Sequence, residues 1–163
     1  MLTAAIRASK GVLRHADLPV PRIPFLLAPG DFYSSADGKE VIVGWKERIL
    51  WGLGFKARVE RTLLHELLHA LVALFPPAPA VRRVFGAAAA WRREPDYRII
   101  PLLLRCSWGF ATRWATTHPE EDLVETATFV LLGKDTSGVP PEKLGAVDAW
   151  FRSLRGGPKE NGL

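Results

Sequence analysis

A single cysteine in 163 residues is the first shortage of this chain. Cys106 has no partner for an intramolecular disulfide, and one thiolate cannot by itself build a sulfur-ligated metal site. Within Leu102-Leu103-Leu104-Arg105-Cys106-Ser107-Trp108 it reads as a small buried apolar residue. A disulfide-stapled secreted scaffold is therefore excluded. Long apolar runs are also missing. The greasiest window, Thr62 to Phe75, is too short to span a bilayer and carries two histidines and a glutamate. The first sixteen residues contain Arg7, Lys10 and Arg14 and no acid, the charge bias of a transit peptide, but they lack the uninterrupted apolar stretch of a secretory signal. They are read as an ordinary N-terminal helix, with the chain expected in the cytoplasm. There is no internal repeat, low-complexity segment or nucleic-acid-binding motif.

What is present suffices for one compact domain. With 48% hydrophobic residues the chain can bury a real core, so a single domain over residues 1–155 is expected, with a flexible tail over 156–163. The net charge of +5 is unevenly placed. Between Val81 and Thr117 seven arginines (Arg82, Arg83, Arg92, Arg93, Arg98, Arg105 and Arg113) face only Glu94 and Asp96, which accounts for the whole surplus. The sharper reading is a surface for acidic substrates or nucleic acid through Arg82, Arg83, Arg92 and Arg93. The plainer one, a solvated helical face, is preferred.

Punctuation along the chain divides it into elements. A helix over 1–17 is stopped by Pro19, Pro21 and Pro24. Phe25-Leu26-Leu27-Ala28 is a candidate strand, Asp37-Gly38 a hairpin-type turn, and Lys39–Gly44 a strand through its β-branched run. A further short strand is expected around Arg48–Trp51. From Lys56 to Phe75 the pattern is helical, and its leucines cover too much circumference for a surface helix, so this one is central. Pro76-Pro77 ends it. Ile99–Ala115 is expected to include another helix. His118-Pro119-Glu120-Glu121-Asp122 opens a helix with proline in the first turn and acids at the positive dipole end; it stops at Gly133. After Pro140-Pro141, Leu144, Val147, Trp150, Phe151 and Leu154 mark a final amphipathic helix.

Chemistry enters with His65-Glu66-Leu67-Leu68-His69. Residues four apart on a helix share a face, so both imidazoles can reach one ion, with Glu66 beside it to take a proton from water. A catalytic zinc normally has three protein ligands. The remaining histidines are His15 and His118, and the best acidic cluster is Glu120, Glu121, Asp122 and Glu125. Glu121 and Glu125 are four apart, so a carboxylate from their helix would complete a His-His-Glu set. Read alone, these acids are as well explained by the helix dipole.

The segment from Ala115, Ala-Thr-Thr-His-Pro-Glu-Glu-Asp-Leu-Val-Glu-Thr, resembles the A-T-x-H-P-x-E-D-x-x-E-T stretch of zinc-binding metallopeptidases, and more broadly the gluzincins that include anthrax lethal factor. Val84-Phe85-Gly86 with Asp96-Tyr97, and the segment from Gly138 through Pro140, Lys143, Leu144, Val147 and Asp148, resemble weaker parts of the same pattern, so the likeness covers roughly residues 59–150. It implies an α+β, zincin-like domain: a small twisted sheet, the H-E-x-x-H helix beneath it, a glutamate-bearing helix crossing below, and a mostly helical C-terminal part. It implies Zn²⁺ held by His65, His69 and Glu121, with Glu125 orienting a ligand or standing in reserve as the ligand itself. His118 would line the site, although a capping histidine fits that position equally well. Where the related enzymes place an oxyanion-stabilising tyrosine, seven residues before the ligand glutamate, this chain has Trp114. An indole N–H also donates, but it is bulkier and aimed differently.

The function expected from these readings is zinc-dependent hydrolysis of a peptide or protein substrate. Glu66 is the general base, Trp114 assists at the oxyanion, and a substrate strand pairs along the Lys39–Gly44 edge. The alternatives are a zinc-binding regulatory module without turnover, and a basic nucleic-acid-associated protein whose zinc is structural.

Overall fold

The computed structural model describes residues 2–28, 33–34, 38–44, 53–86, 109–112 and 114–156. They fall into two compact units, Met1–Pro76 and Pro77–Leu163. Both helices and strands are present, so the fold is mixed α and β.

The first unit begins with α1 (Leu2–His15), whose last turn carries Arg14 and His15 at the negative end of the helix dipole. Ala5, Ser9 and Leu13, four residues apart, are fully buried. The chain leaves the helix through Asp17 at φ 55°, a left-handed conformation that a short carboxylate side chain tolerates. Three strands follow: β1 (Phe25–Ala28), β2 (Tyr33–Ser34) and β3 (Val41–Gly44). Their order is β1-β3-β2, with β1 parallel to β3 from Phe25↔Val41 to Ala28↔Gly44, and β2 antiparallel to it through Tyr33↔Ile42 and Ser34↔Val41. The segment expected to offer a free edge to substrate is therefore the central strand. Phe25–Ala28 covers one side of it, and the only open edges among the described strands belong to β1 and β2.

The pleat sends Val41 and Val43 to the same face, where both are fully buried with Ala5 of α1 and with Val59 and Leu63 of the next helix. Ile6, Ile23 and Phe25 close over that cluster. That helix, α2, runs Lys56–Leu74 and is buried without a break from Leu63 to Val72. Its last turn closes through the Phe75 N–H on the Leu71 carbonyl at 2.8 Å, and Pro76-Pro77 cannot continue it. Two contacts fix its neighbours. The Ser9 hydroxyl lies 3.0 Å from both the Ala5 and the Glu60 carbonyls, stitching α1 to α2. Gly38, at φ +67°, packs so tightly on α2 that a Cβ there would stand 3.0 Å from Ala73 Cβ and 3.3 Å from the Ala70 carbonyl oxygen.

The second unit is helical among its described residues. It comprises α3 (Pro79–Val84), a 3₁₀ turn at Trp114–Thr116, α4 (Pro119–Leu131) and α5 (Pro141–Gly156). Helix α5 packs on both α3 and α4, and α4 on the 3₁₀ turn. Val147, Trp150, Phe151 and Leu154 make the buried face of α5 as the periodicity predicts. Helix α4 stops where the glycine signal placed its end: Gly133 takes φ +58°, and the Lys134 and Gly133 N–H groups return to the Phe129 and Val130 carbonyls. The helix expected within Ile99–Ala115 does not include residues 109–112. Gly109 adopts φ +86° and its N–H bonds the Gly138 carbonyl at 3.0 Å. Residues 99–108, the expected strand at Arg48–Trp51, and Arg92, Arg93, Arg98, Arg105 and Arg113 lie outside the described residues. Of the arginine-rich stretch, Arg82 is half-buried and Arg83 exposed on α3. No helix among the described residues is long and apolar enough to cross a membrane.

Candidate metal centre

The first half of the candidate centre belongs to α2. His65, Glu66 and His69 are each only 7% exposed in an otherwise apolar stretch of helix, where unsatisfied polar groups would cost several kcal/mol. The i, i+4 spacing puts the two imidazoles one above the other, with ring centroids 4.7 Å apart and planes at 76°. Their Nε2 atoms stand 3.1 Å apart. Two zinc–nitrogen bonds of about 2.0–2.1 Å, opened to a tetrahedral angle, hold their nitrogens about 3.3 Å apart. The same separation also suits one hydrogen bond between a protonated and an unprotonated nitrogen. The separation thus fits a shared cation to within a few tenths of an ångström, and a hydrogen bond between the rings as well. Glu66 follows His65 directly and is buried with it.

The second half belongs to the start of α4. His118 is its N-cap, in extended conformation, and its Nδ1 accepts the Glu120 N–H at 3.1 Å. Of the two roles the sequence left open for His118, capping is the one observed here. A neutral ring accepting at Nδ1 carries its proton on Nε2. Pro119 occupies the first turn with Glu120, Glu121 and Asp122, an arrangement that suits the positive end of the dipole. A turn of chain holds this helix start in place. Gly86 sits at φ +133° against Pro119, where a Cβ would come within 3.0 Å of the proline Cγ. That contact gives the Phe85-Gly86 pair a physical reason. Glu121 is half-buried, and Glu125, one turn on, is 4% exposed. His65, His69 and Glu121 together offer two imidazoles and a carboxylate, a donor set that could hold a metal ion.

No family model, curated protein or solved structure matches this chain. The functional reading therefore stands on the residues themselves.

Trp114 opens the 3₁₀ turn and is 60% exposed, so most of its indole faces water. Its carbonyl accepts from the Thr117 N–H at 3.0 Å and from the Thr117 hydroxyl at 2.8 Å.

The sequence reading missed an ion pair behind Glu121. Asp122, read there as part of the acidic first turn, is buried and paired with Lys143 of α5. The same ammonium donates to the Gly109 carbonyl at 2.6 Å and lies 4.0 Å from the centroid of the Phe110 ring. Burial pushes the Asp122 carboxyl up from 3.8 to about 6, although Lys143 and the Thr126 hydroxyl both pull it down. A signal was present: Lys143 is the lysine of the K-L-x-x-V-D pattern, and no apolar-face argument explains a lysine there.

Proposed function

We propose that this chain is a zinc-dependent peptide hydrolase, with His65, His69 and Glu121 holding the cation and Glu66 acting as general base. The observation that carries the proposal is the buried Nε2 pair at 3.1 Å on one face of α2, with the buried Glu66 next in sequence to His65. Glu121 is assigned as the third ligand from its place in the H-P-x-E-D-x-x-E pattern, and Glu125 stands behind it. When bound, zinc supplies Lewis acidity, which makes water easier to deprotonate and a carbonyl easier to attack. Glu66 then accepts a proton at its carboxylate and returns it to the departing amine. The apolar surroundings of α2 exclude bulk water and strengthen each of these electrostatic contacts. A zincin-like arrangement is the fold this reading requires.

Metal analysis of protein purified without added zinc tests the reading, together with turnover of unstructured peptides. Expected are about one equivalent of zinc, its loss in Glu121→Ala, and hydrolysis that disappears on chelation. Glu66→Ala should keep the metal and lose turnover. Full turnover by Glu66→Ala would remove the assigned base, and stoichiometric zinc in Glu121→Ala would pass the ligand role to Glu125.

Trp114 favours a second reading, a zinc-binding module without turnover. It replaces the acidic phenol with a mostly solvated indole, and loss of an oxyanion donor commonly lowers rates about a hundredfold to a thousandfold. Stoichiometric zinc with no hydrolysis of any unstructured peptide would select it.

A further inference from the structure

Helix α1 carries a charge pattern that the metal centre does not use. Arg7, Lys10 and Arg14 follow the i, i+3, i+7 rule, so at 100° per residue they fall within an arc of about 60° and along about 10 Å of helix axis. The opposite side of the helix is the buried one, made by Ala5, Ser9 and Leu13. Arg7 and Arg14 are exposed, and Lys10 is half-exposed with its ammonium 5.2 Å from the Phe25 ring centroid. The helix contains no acid. The first acid after the helix in sequence is Asp17, and Glu60 of α2 sets its backbone carbonyl against Ser9 on the buried side. Three cations on one solvent-facing strip, with nothing on the helix to neutralise them, form a local field for a polyanion.

Two polyanions could answer that field, and the composition of the strip separates them. A helix that binds a membrane surface pushes apolar side chains into the acyl boundary. The apolar side of α1 is committed to the core with Val41, Val43, Val59 and Leu63. The exposed residues described on α1 are Thr3, Ala4, Arg7, Ala8, Arg14 and His15, none of them a large apolar side chain to insert. A polar strip with an exposed guanidinium at each end suits phosphodiesters, which arginine binds in a fork. We infer that the exposed face of α1 is a docking strip for a nucleic-acid backbone, engaged without sequence preference. It does not depend on the proposed peptidase activity.

The test is anisotropy of a fluorescein-labelled 20-base-pair duplex titrated with the full chain across a salt series. Three phosphate contacts predict a log–log slope of about −3. Arg7→Gln and Arg14→Gln should each reduce the slope by about 1 and weaken binding on the order of tenfold at 50 mM salt, and Arg152→Gln should change neither. Because the two arginines are exposed, both variants should keep the wild-type circular dichroism and melting temperature. Absence of duplex binding at low salt, or an unchanged slope in both folded variants, would overturn the inference. So would tighter binding to vesicles of phosphatidylserine and phosphatidylcholine than to the duplex, which would assign the strip to a lipid surface.

Discussion

Replacing Lys143 by methionine removes a half-buried cation while keeping an unbranched apolar stem. In the native chain the ammonium pairs with Asp122 and donates to the Gly109 carbonyl at 2.6 Å, with side chains 12% and 5% exposed for Lys143 and Asp122. The Asp122 carboxyl sits at about 6 instead of 3.8, so the folded chain holds this proton more tightly than the unfolded one. Its contribution to stability is therefore greatest below pH 4 and is lost as pH rises through about 6. At about 1.4 kcal/mol per pH unit, the ionised native form at pH 7 carries a penalty of about 3 kcal/mol. Removing the cation raises the carboxyl further, but the penalty at pH 7 cannot exceed that of keeping it protonated, about 4 kcal/mol. The charge-linked loss is thus close to zero at pH 5, at most about 1 kcal/mol at pH 7 and at most about 3 kcal/mol at pH 8. The lost hydrogen bond to Gly109 adds about 1 kcal/mol, and the lost contact with the Phe110 ring about another. Urea unfolding of Lys143→Met, followed by circular dichroism, should therefore show a loss of about 2 kcal/mol at pH 5, growing with pH to no more than about 5 kcal/mol at pH 8. Adding Asp122→Asn should abolish that growth. A loss independent of pH, or no loss at pH 8, would refute the account of a buried charge held by one partner.

Three further outcomes are expected. His118→Ala deletes the cap of α4 and should lower stability by about 1 kcal/mol, read as a fall of a few degrees in the melting temperature; an unchanged melt would deny the cap any energetic role. Gly86→Ala forces a Cβ at φ +133° to within 3.0 Å of Pro119 Cγ, and a cost of about 1–3 kcal/mol should appear in urea unfolding. Zinc at a hundred times its dissociation constant should raise stability by about 2.7 kcal/mol, and His69→Ala should remove that gain while Glu66→Ala keeps it. A zinc-induced shift that survives in His69→Ala would place the ion elsewhere.

How much of this was readable before the structure depends on how local each cause is. Helix α2 was legible from Lys56 to its end because a continuous apolar circumference and Pro76-Pro77 are both sequence-local. So were the proline at the start of α4, Gly133 at its end, and the shared face of His65 and His69. Pairing was not legible. A run such as Val41–Gly44 states that it is a strand but not which neighbours it takes, and the parallel partner at Phe25–Ala28 lies across an intervening segment. The Asp122–Lys143 pair was hidden for the same reason: its members are 21 residues apart and meet only after α5 docks on α4. Where an element within Ile99–Ala115 would stop was not legible either: the positive φ of Gly109 and the 3₁₀ turn at Trp114–Thr116 are matters of local turn geometry.

The tight pairing of β3 has an evolutionary corollary. Its inward side chains alternate with outward ones in steps of two, so inserting one residue between Val41 and Val43, or deleting Ile42, would put the two valines on opposite faces and send one of them out of the core. Changes of length at that strand would be purged, whereas polar exchanges at its outward positions would drift. Libraries built on this scaffold should therefore vary the identity of residues along β3 and never their number.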